Sequence, residues 1–409
     1  MLSSEQGLSE IKPTSITNIL TLRYDPSLSP ILPKKTWNDL KPLVEKPSMD
    51  LIEQLIEKTI KKQIDVSEVK KICIALSGGI DSTLILTLIK KFLPEIQVDA
   101  ISIKFANSVD ETESASKIAA NLDANHHIVY LENYLTELPK AISMIKLPFW
   151  DLHWYYVTQK SQSFSKYLFS GDGGDELFGG YTFRYKKFLS LTNTNSTPLE
   201  KVKAYLLCHE RDRVPDQEKI FGKKSGFSWK SIHESLIDYF DNPLSPLEQV
   251  FLADYNGKLL YNFSPINTRI SNNFDIKNIS PLLSEEMISY ALGIPLQNKY
   301  DKTNDIGKLV LRKLLSKYNM EKFIPNEKFG FNVNTINLWK SVGQSICQEY
   351  LTDSEAVNAG WINKGWIDKY LNKNDLDVRY VNKFLGLLAF EIWYRLFVTK
   401  HMSANATLN

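Results

Sequence analysis

Cysteine is scarce in this sequence. The chain of 409 residues contains three cysteines, Cys73, Cys208 and Cys347, which lie far apart. No two of them have the spacing of metal ligands, and an odd, scattered set offers no disulfide framework. Cys73 alternates with Ile72 and Ile74 in an apolar run, so we expect it to be a small buried hydrophobe.

An excess of charge of one sign is also missing. The 49 basic and 47 acidic residues leave a formal charge of +2, which gives no general attraction to nucleic acid or membrane. The start, "MLSSEQGLSEIKPTS", lacks the basic and apolar regions of a signal peptide. The apolar stretch "FLGLLAFEIWYRLFV" is too short to span a bilayer and carries Glu391 and Arg395, so it predicts a buried helix. We expect a cytoplasmic protein without nucleic-acid or membrane partners.

The order of apolar segments indicates the fold class. Residues 1–45 contain five prolines and predict an extended arm. From residue 46 to about 185, strand-like runs such as "KICIAL" alternate with helix patterns such as "STLILTLIKKF". One helix pattern, "LTELPKAISMI", is interrupted at Pro139. Residues 186–400 are mostly helical in pattern. The prediction is an α/β fold with a parallel sheet and a mostly helical C-terminal half.

The segment "ALSGGIDST" joins a predicted strand to a predicted helix. Gly78 and Gly79 allow a tight turn with accessible N–H groups, and the following helix adds positive potential at its N-terminus. Ser77 and Ser82 add hydroxyl donors, so the loop is suited to a di- or triphosphate. It is neither a Walker A loop nor a G-x-G-x-x-G loop. Asp81 would repel phosphates unless a cation lay between them, and it therefore predicts Mg²⁺.

A second loop of the same kind follows at "FSGDGGDELFGGY", residues 169–181. Ser170 and Gly171 end a predicted strand, and three acids follow within about one turn: Asp172, Asp175 and Glu176. Loops that follow parallel strands lie at one edge of the sheet, where ligands bind. Asp81 and Asp175 are therefore expected to hold Mg²⁺ from two sides.

Together the two loops resemble the asparagine synthetase family. "SGGIDS" resembles the pyrophosphatase loop of the ATP-pyrophosphatase (PP-loop) superfamily, and "SGDGGDELFGGY" resembles the signature of the asparagine synthetase synthetase domain. "NHHIVYL", "DIGKLVLRKLL" and "FIPNEKFGFNVNTINLW" extend the similarity over roughly residues 45–398. The resemblance implies an adenine-nucleotide alpha-hydrolase-like fold. It also implies an ATP-dependent ligase that adenylates a carboxylate, releases pyrophosphate and forms an amide after attack by nitrogen.

The resemblance also assigns residues. The implied ATP-binding set is Leu76, Ser77, Gly78, Gly79, Asp81, Ser82, Ile103, Ser170 and Gly171. Asp81 and Asp175 are the implied Mg²⁺ ligands, and Lys308 matches a lysine that stabilises charge on the phosphate and the intermediate. Asp172 lies where the family has an acidic residue near the acceptor. A solvated helix lysine remains the alternative for Lys308, and a structural cap remains the alternative for Asp172.

Several positions depart from the family pattern. Position 2 is Leu2 instead of the cysteine that begins a glutaminase domain, and "ILTLRYDPSLSPILPKKTW" resembles the linker that follows such a domain. We therefore expect nitrogen to come from ammonia, an amine substrate or a separate glutaminase subunit. The family's "EVRVPFLD" segment is "KNISPLLS" here, with Lys277, Ile279 and Ser284 replacing its charged residues.

The departures leave the acceptor and the assembly open. Aspartate is the expected acceptor; a carboxylate of a β-lactam- or peptide-cyclising substrate is the alternative. A non-catalytic nucleotide-binding partner is the alternative from another class of protein. A homo-oligomer is compatible with the sequence.

Overall fold

The computed structural model describes residues 12–41, 45–65, 67–106, 108–110, 112–324 and 333–409. Its centre is a parallel sheet with the spatial order β3-β2-β1-β4-β5. The strands are β1 Lys71–Ala75, β2 Gln97–Phe105, β3 Asn125–Leu131, β4 Tyr167–Phe169 and β5 Lys277–Ile279. An antiparallel pair, β6 Tyr300–Asp301 and β7 Ile306–Gly307, lies outside this sheet. The predicted α/β fold with a parallel sheet is confirmed.

Helices surround the sheet and form most of the second half of the chain. They are α1 Pro13–Leu22, α2 Met49–Gln63, α3 Ile80–Phe92, α4 Thr112–Asn121, α5 Leu138–Ile145, α6 His153–Ser161, α7 Gly174–Phe178, α8 Thr182–Leu191, α9 Pro198–Cys208, α10 Trp229–Glu234, α11 Pro246–Asp254, α12 Ser264–Asn273, α13 Glu285–Leu292, α14 Leu309–Ser316, α15 Thr335–Leu338, α16 Gln344–Leu351, α17 Glu355–Asn358, α18 Lys364–Tyr370 and α19 Val378–Phe397. π-Helical segments Tyr255–Phe263 and Trp339–Gly343 precede α12 and α16. Short 3₁₀ turns occupy several of the connections.

The central strands are buried on both faces, as expected for a parallel sheet covered by helices. In β1, Ile72 and Ile74 belong to one hydrophobic core, whereas Cys73 and Ala75 belong to a second core. Successive side chains of a strand point to opposite faces, so the two cores lie on the two sides of the sheet. Cys73 is fully buried, in agreement with the sequence-based prediction.

The arm prediction is wrong for part of residues 1–45. Residues Pro13–Leu22 form helix α1, with Pro13 in its first turn and with Ile16, Ile19 and Leu20 buried. These apolar residues have helical spacing, and a proline in the first turn costs no intrahelical hydrogen bond. The Nζ of Lys383 on α19 donates to the carbonyl of Leu20 near the end of α1. Residues 1–11 and 42–44 of the predicted arm lie outside the described residues.

One further expectation needs correction. Pro139 does not interrupt a helix, because α5 begins at Leu138 and Pro139 occupies its first turn. The prediction of a mostly helical second half is confirmed, and this half also contributes β5, which pairs with β4 and completes the sheet. A three-residue strand between helices has too little periodicity to be recognised. The division of the chain at about residue 185 stays a prediction.

The late apolar stretch forms part of α19, and its Glu391 is fully buried. The Glu391 carboxylate accepts hydrogen bonds from the backbone N–H groups of Glu355 and Ala356 at the start of α17 and pairs with Arg395. The carboxylate is therefore stabilised by groups inside the protein, in agreement with the prediction of a buried helix. Among the described residues, no helix has the length and apolar character that crossing a membrane would require.

Candidate active site

The first loop leaves the carboxyl end of β1 and turns into α3. Gly78 has a φ of 73°, a left-handed conformation that favours glycine, and Gly79 is the N-cap of α3. The hydroxyl oxygens of Ser77 and Ser82 lie 3.2 Å apart and close the loop from inside. The first N–H groups of α3 have no intrahelical acceptor, so this turn offers donors to an anion.

The second loop leaves the carboxyl end of β4, the neighbour of β1 in the sheet. The two loops touch: a Cβ added to Gly171 would lie 2.7 Å from the Cβ of Asp81, and one added to Gly174 would overlap the Asp81 carboxylate. Only glycine permits such an approach. The predicted meeting of the two loops at one edge of the sheet is therefore observed.

Lys308 joins the two loops. Its Nζ contacts Oδ2 of Asp81 and lies 2.6 Å from Oδ1 of Asp175, so the two acids face one ammonium group. The Lys308 side chain is 4% exposed. Burial by itself lowers the pKa of Lys308, but Asp175 and Asp81 outweigh burial and raise the pKa, which keeps the lysine charged. The alternative of a solvated lysine is excluded.

The backbone places Lys308 just before α14. Lys308 has a φ of 58°, and its N–H donates to the carbonyl of Phe178, which ends α7. A left-handed conformation is uncommon for a lysine and persists where its surroundings fix it. The hydrogen bond therefore ties Lys308 to the same short helix that carries Asp175.

Asp172 has a different environment from Asp81 and Asp175. Its Oδ2 accepts a hydrogen bond of 2.9 Å from Nδ2 of Asn267 on α12. Burial raises the pKa of Asp172, hydrogen bonds from Ser170 and Asn267 oppose that rise, and Asp81 and Asp175 add to it. Asp172 is therefore a half-buried acid with neutral hydrogen-bond donors, whereas Asp81 and Asp175 beside it pair with Lys308.

Glu176 is the fourth acid of the region, and it points into the protein. It accepts a hydrogen bond from the hydroxyl of Tyr181 and is 5% exposed. Burial and the neighbouring Asp175 raise the pKa of Glu176 to about 7, although the Tyr181 hydrogen bond opposes them.

Two residues of the expected adenosine pocket do not come together. Leu76 is fully buried in one hydrophobic core, and Ile103 is 5% exposed in the other core. Their side chains lie on opposite faces of the sheet: Leu76 follows the end of β1, and Ile103 lies within the neighbouring strand β2. A contribution of either residue to a ligand site would have to come from its backbone.

The segment that departs from the family pattern contributes one polar group to the site. Ser280 Oγ lies 2.8 Å from Ser170 Oγ. The three changed positions have structural roles: Lys277 reaches the carbonyl of Gln63, Ile279 lies in the core, and Ser284 caps α13. Ser280 was not predicted, because β5 was not recognised. Asn267 lies in a helix without a motif, and no sequence signal could have found it.

The carboxylates of Asp81 and Asp175 fit a metal site whose remaining ligands come from water and substrate phosphates. Oδ1 of Asp81 is buried and has no hydrogen-bond partner. Among the described residues, no group of three or more His, Cys, Asp or Glu side chains could hold a metal ion alone. Mg²⁺ commonly binds through one or two carboxylates and completes its shell with water and substrate phosphates. Asp81 and Asp175 match that kind of site. The "NEKFGFN" part of the expected later similarity lies in residues 325–332, outside the described residues.

The protein is thus an α/β protein in which two acidic glycine-rich loops meet at the carboxyl edge of a parallel sheet. The sequence model of the asparagine synthase family matches residues 51–395, and the chain belongs to this family. It is 25% identical to asparagine synthetase [glutamine-hydrolyzing] 1 of Bacillus subtilis over 371 residues, covering 80% of this chain and 56% of that protein.

The chain is also similar to a second relative and to one solved structure. The chain is 23% identical to a putative asparagine synthetase [glutamine-hydrolyzing] of Mycobacterium tuberculosis, covering 79% of this chain and 54% of that protein. It thus spans little more than half the length of both relatives. NMN synthetase of Francisella tularensis aligns with a TM-score of 0.26 at 16% identity, over 50% of this chain and 92% of that chain.

Proposed function

We propose that this protein is an ATP-dependent amide-forming ligase of the asparagine synthase type. A carboxylate attacks the α-phosphate of ATP, pyrophosphate leaves, and a nitrogen nucleophile then displaces AMP from the acyl-adenylate. The observation that carries the proposal is the convergence of Asp81 and Asp175 on the buried Lys308, between two loops in contact. Family membership supports ATP use and ligase chemistry.

The proposed roles follow from position. The first N–H groups of α3, with Ser77 and Ser82, would bind the pyrophosphate part of ATP. Asp81 and Asp175 would hold Mg²⁺, which screens phosphate charge from the acids. Lys308 would stabilise negative charge on the phosphates and in the transition state. Asp172 would act at the acceptor side, next to the Ser170–Ser280 pair.

Aspartate is the proposed acceptor, and another carboxylate is the alternative. Ammonia, an amine or a glutaminase partner would supply nitrogen. Lys277, Ile279 and Ser284 have structural contacts in this protein, so the choice of acceptor depends on the screen of carboxylic acids.

ATP–pyrophosphate exchange tests the proposal. Purified protein with Mg²⁺ and ATP is screened with L-aspartate and with a panel of other carboxylic acids. We expect L-aspartate to stimulate exchange. We expect Asp81→Asn to lower the rate by about 10²–10³-fold, as for loss of an electrostatic contact at a reaction centre. Asp123→Asn is the matched control, because the Asp123 side chain is fully exposed.

The outcomes separate the alternatives. Wild-type exchange rates in Asp81→Asn would refute the mechanism. Stimulation by another acid in place of aspartate would keep the chemistry and change the acceptor. ATP binding without exchange for any acid would favour a non-catalytic nucleotide-binding partner.

A further inference from the structure

Asn267 makes a contact that the family motifs do not include. It lies on α12, 95 residues from Asp172 in sequence, and its Nδ2 donates to Oδ2 of Asp172 at 2.9 Å. The side chain is nearly buried, with 9% of the residue exposed. A buried amide that donates a hydrogen bond to a carboxylate holds that carboxylate in one orientation. Such a charge-assisted hydrogen bond is directional, and its loss costs free energy.

The donor to Asp172 is neutral, unlike the donor to the other two acids. Lys308 pairs with Asp81 and Asp175. An ammonium partner stabilises a carboxylate and makes it a poor proton acceptor, whereas an amide partner fixes its direction without adding a full positive charge. Asp172 thus differs from Asp81 and Asp175, because a neutral group orients it and leaves it suited to accept a proton.

We propose that Asn267 is a positioning residue for the second half-reaction, the attack of nitrogen on the acyl-adenylate; this inference rests on the proposed function. The amide of Asn267 holds Oδ2 of Asp172, so that Oδ1 faces the nucleophile. The nitrogen lone pair forms the new C–N bond, the bond from the acyl carbon to the phosphate oxygen breaks, and AMP leaves with that electron pair. The nitrogen loses one proton, and Oδ1 of Asp172 accepts it.

The position of Asn267 separates it from the first half-reaction. ATP activation uses the phosphate loop, the Asp81–Asp175 pair and Lys308, and the described contact of Asn267 is with Asp172. Adenylation should therefore depend little on Asn267, whereas amide formation should depend on it strongly. A residue that merely supported the fold would affect both steps together.

The test measures both half-reactions in Asn267→Leu, which keeps a similar volume and removes the donor. ATP–pyrophosphate exchange reports adenylation, and amide formation is followed with ammonium as the nitrogen donor. The acid is L-aspartate, or the acid that stimulates exchange in the screen. We expect kcat for amide formation to fall by about 10–100-fold, as for loss of a hydrogen bond to a charged group, with exchange and the KM for ATP nearly unchanged.

Three further variants sharpen the test. Asn273→Leu changes an exposed asparagine of the same helix that donates to the carbonyl of Arg269, and it should leave both steps unchanged. Asn267→Gln keeps a donor and should restore part of the lost rate, which also serves if Asn267→Leu folds poorly. Adding Asn267→Leu to Asp172→Asn should cause no further loss, because residues that act as a unit are not additive.

The results distinguish failure of the proposed role of Asn267 from failure of the proposed function. Parallel loss of exchange and amide formation in Asn267→Leu, no loss in either, or full additivity with Asp172→Asn would overturn the role of Asn267. Absence of acid-dependent exchange in the wild-type protein would instead overturn the proposed function itself.

Discussion

Two clusters of largely buried charge differ in their balance. In the first cluster, Arg23, Lys258 and Arg184 face Asp151, Asp212 and Asp254. Arg23 contacts Asp151 and lies 3.9 Å from Asp212, Lys258 Nζ lies 2.6 Å from Asp212, and Arg184 lies 3.6 Å from Asp254. We call this the balanced cluster, because three cations meet three carboxylates.

The second cluster, at the edge of the sheet, has more carboxylates than cations. Lys308 faces Asp81 and Asp175, and Asp172 lies beside them with a neutral donor. We call Asp81, Asp172, Asp175 and Lys308 the site cluster.

The charges of the balanced cluster stabilise the fold, whereas the extra carboxylates of the site cluster are suited to bind a cation. Buried charges are tolerated when opposite charges offset them, and the balanced cluster has equal numbers of cations and carboxylates. Each cluster leaves a buried carboxylate oxygen without a hydrogen bond, Oδ2 of Asp254 in the balanced cluster and Oδ1 of Asp81 in the site cluster. The surplus of carboxylates is therefore what distinguishes the site cluster, and surplus negative charge is a feature of a site that takes up a cation.

The largest expected effect comes from the same substitution made in both clusters. Asp212→Asn should lower the free energy of unfolding by about 3–5 kcal/mol, because it leaves Lys258 and Arg23 without their shared carboxylate. Exchange activity per folded molecule should stay unchanged. Urea denaturation and the exchange assay measure the two quantities. Asp81→Asn should show the opposite pattern, and equal loss of stability in both variants would remove the distinction.

The next effect is expected at Lys308. Lys308→Met should lower pyrophosphate exchange by about 10²–10³-fold. It also leaves Asp81 and Asp175 without their ammonium group, so Mg²⁺ should raise Tm more in this variant than in the wild-type protein. Lys317→Met is the control, since Lys317 pairs with Asp50 and Glu53 at the surface. An Mg²⁺ response identical to the wild type would argue against a metal at the acid pair.

The smallest effect is a pH dependence in the balanced cluster. His209 accepts a hydrogen bond from Arg184, and burial, followed by Arg184 and Lys258, holds its pKa well below 6.5. Asp254 lies 3.7 Å away, Tyr205 offers its carbonyl oxygen to Nδ1, and Asp212 opposes the fall in pKa. Below pH 6.5 the unfolded chain binds the proton and the folded chain does not, so stability falls as pH falls.

The contribution of His209 is at most about 1.4 kcal/mol per pH unit between its unfolded and folded pKa values. Urea denaturation at pH 7.5, 6.5 and 5.5 should give a shallower dependence for His209→Gln than for the wild type. His401→Gln changes an exposed histidine and serves as the control. An unchanged slope in His209→Gln would show that His209 is protonated in the folded protein.

Much of the site could be predicted, because each of its two loops is a contiguous motif in the sequence. Strand, serine, glycine and acid occur in one stretch of sequence, and adjacency in the sheet follows from the parallel arrangement. Lys308 was found through the family resemblance and not by periodicity. Asn267 and Ser280 escaped prediction, because their contacts span 95 and 110 residues. The balanced cluster escaped for the same reason.

The amino-acid sequence by itself determined the alternation of strands and helices, the two acidic turns and membership of the family, since each depends on neighbours within a few residues. Only the tertiary structure decided that one buried ammonium joins Asp81 to Asp175, that Asn267 orients Asp172, and that α1 packs as a helix. These outcomes depend on groups that meet across long stretches of chain, where the cost of burying a charge selects its partner.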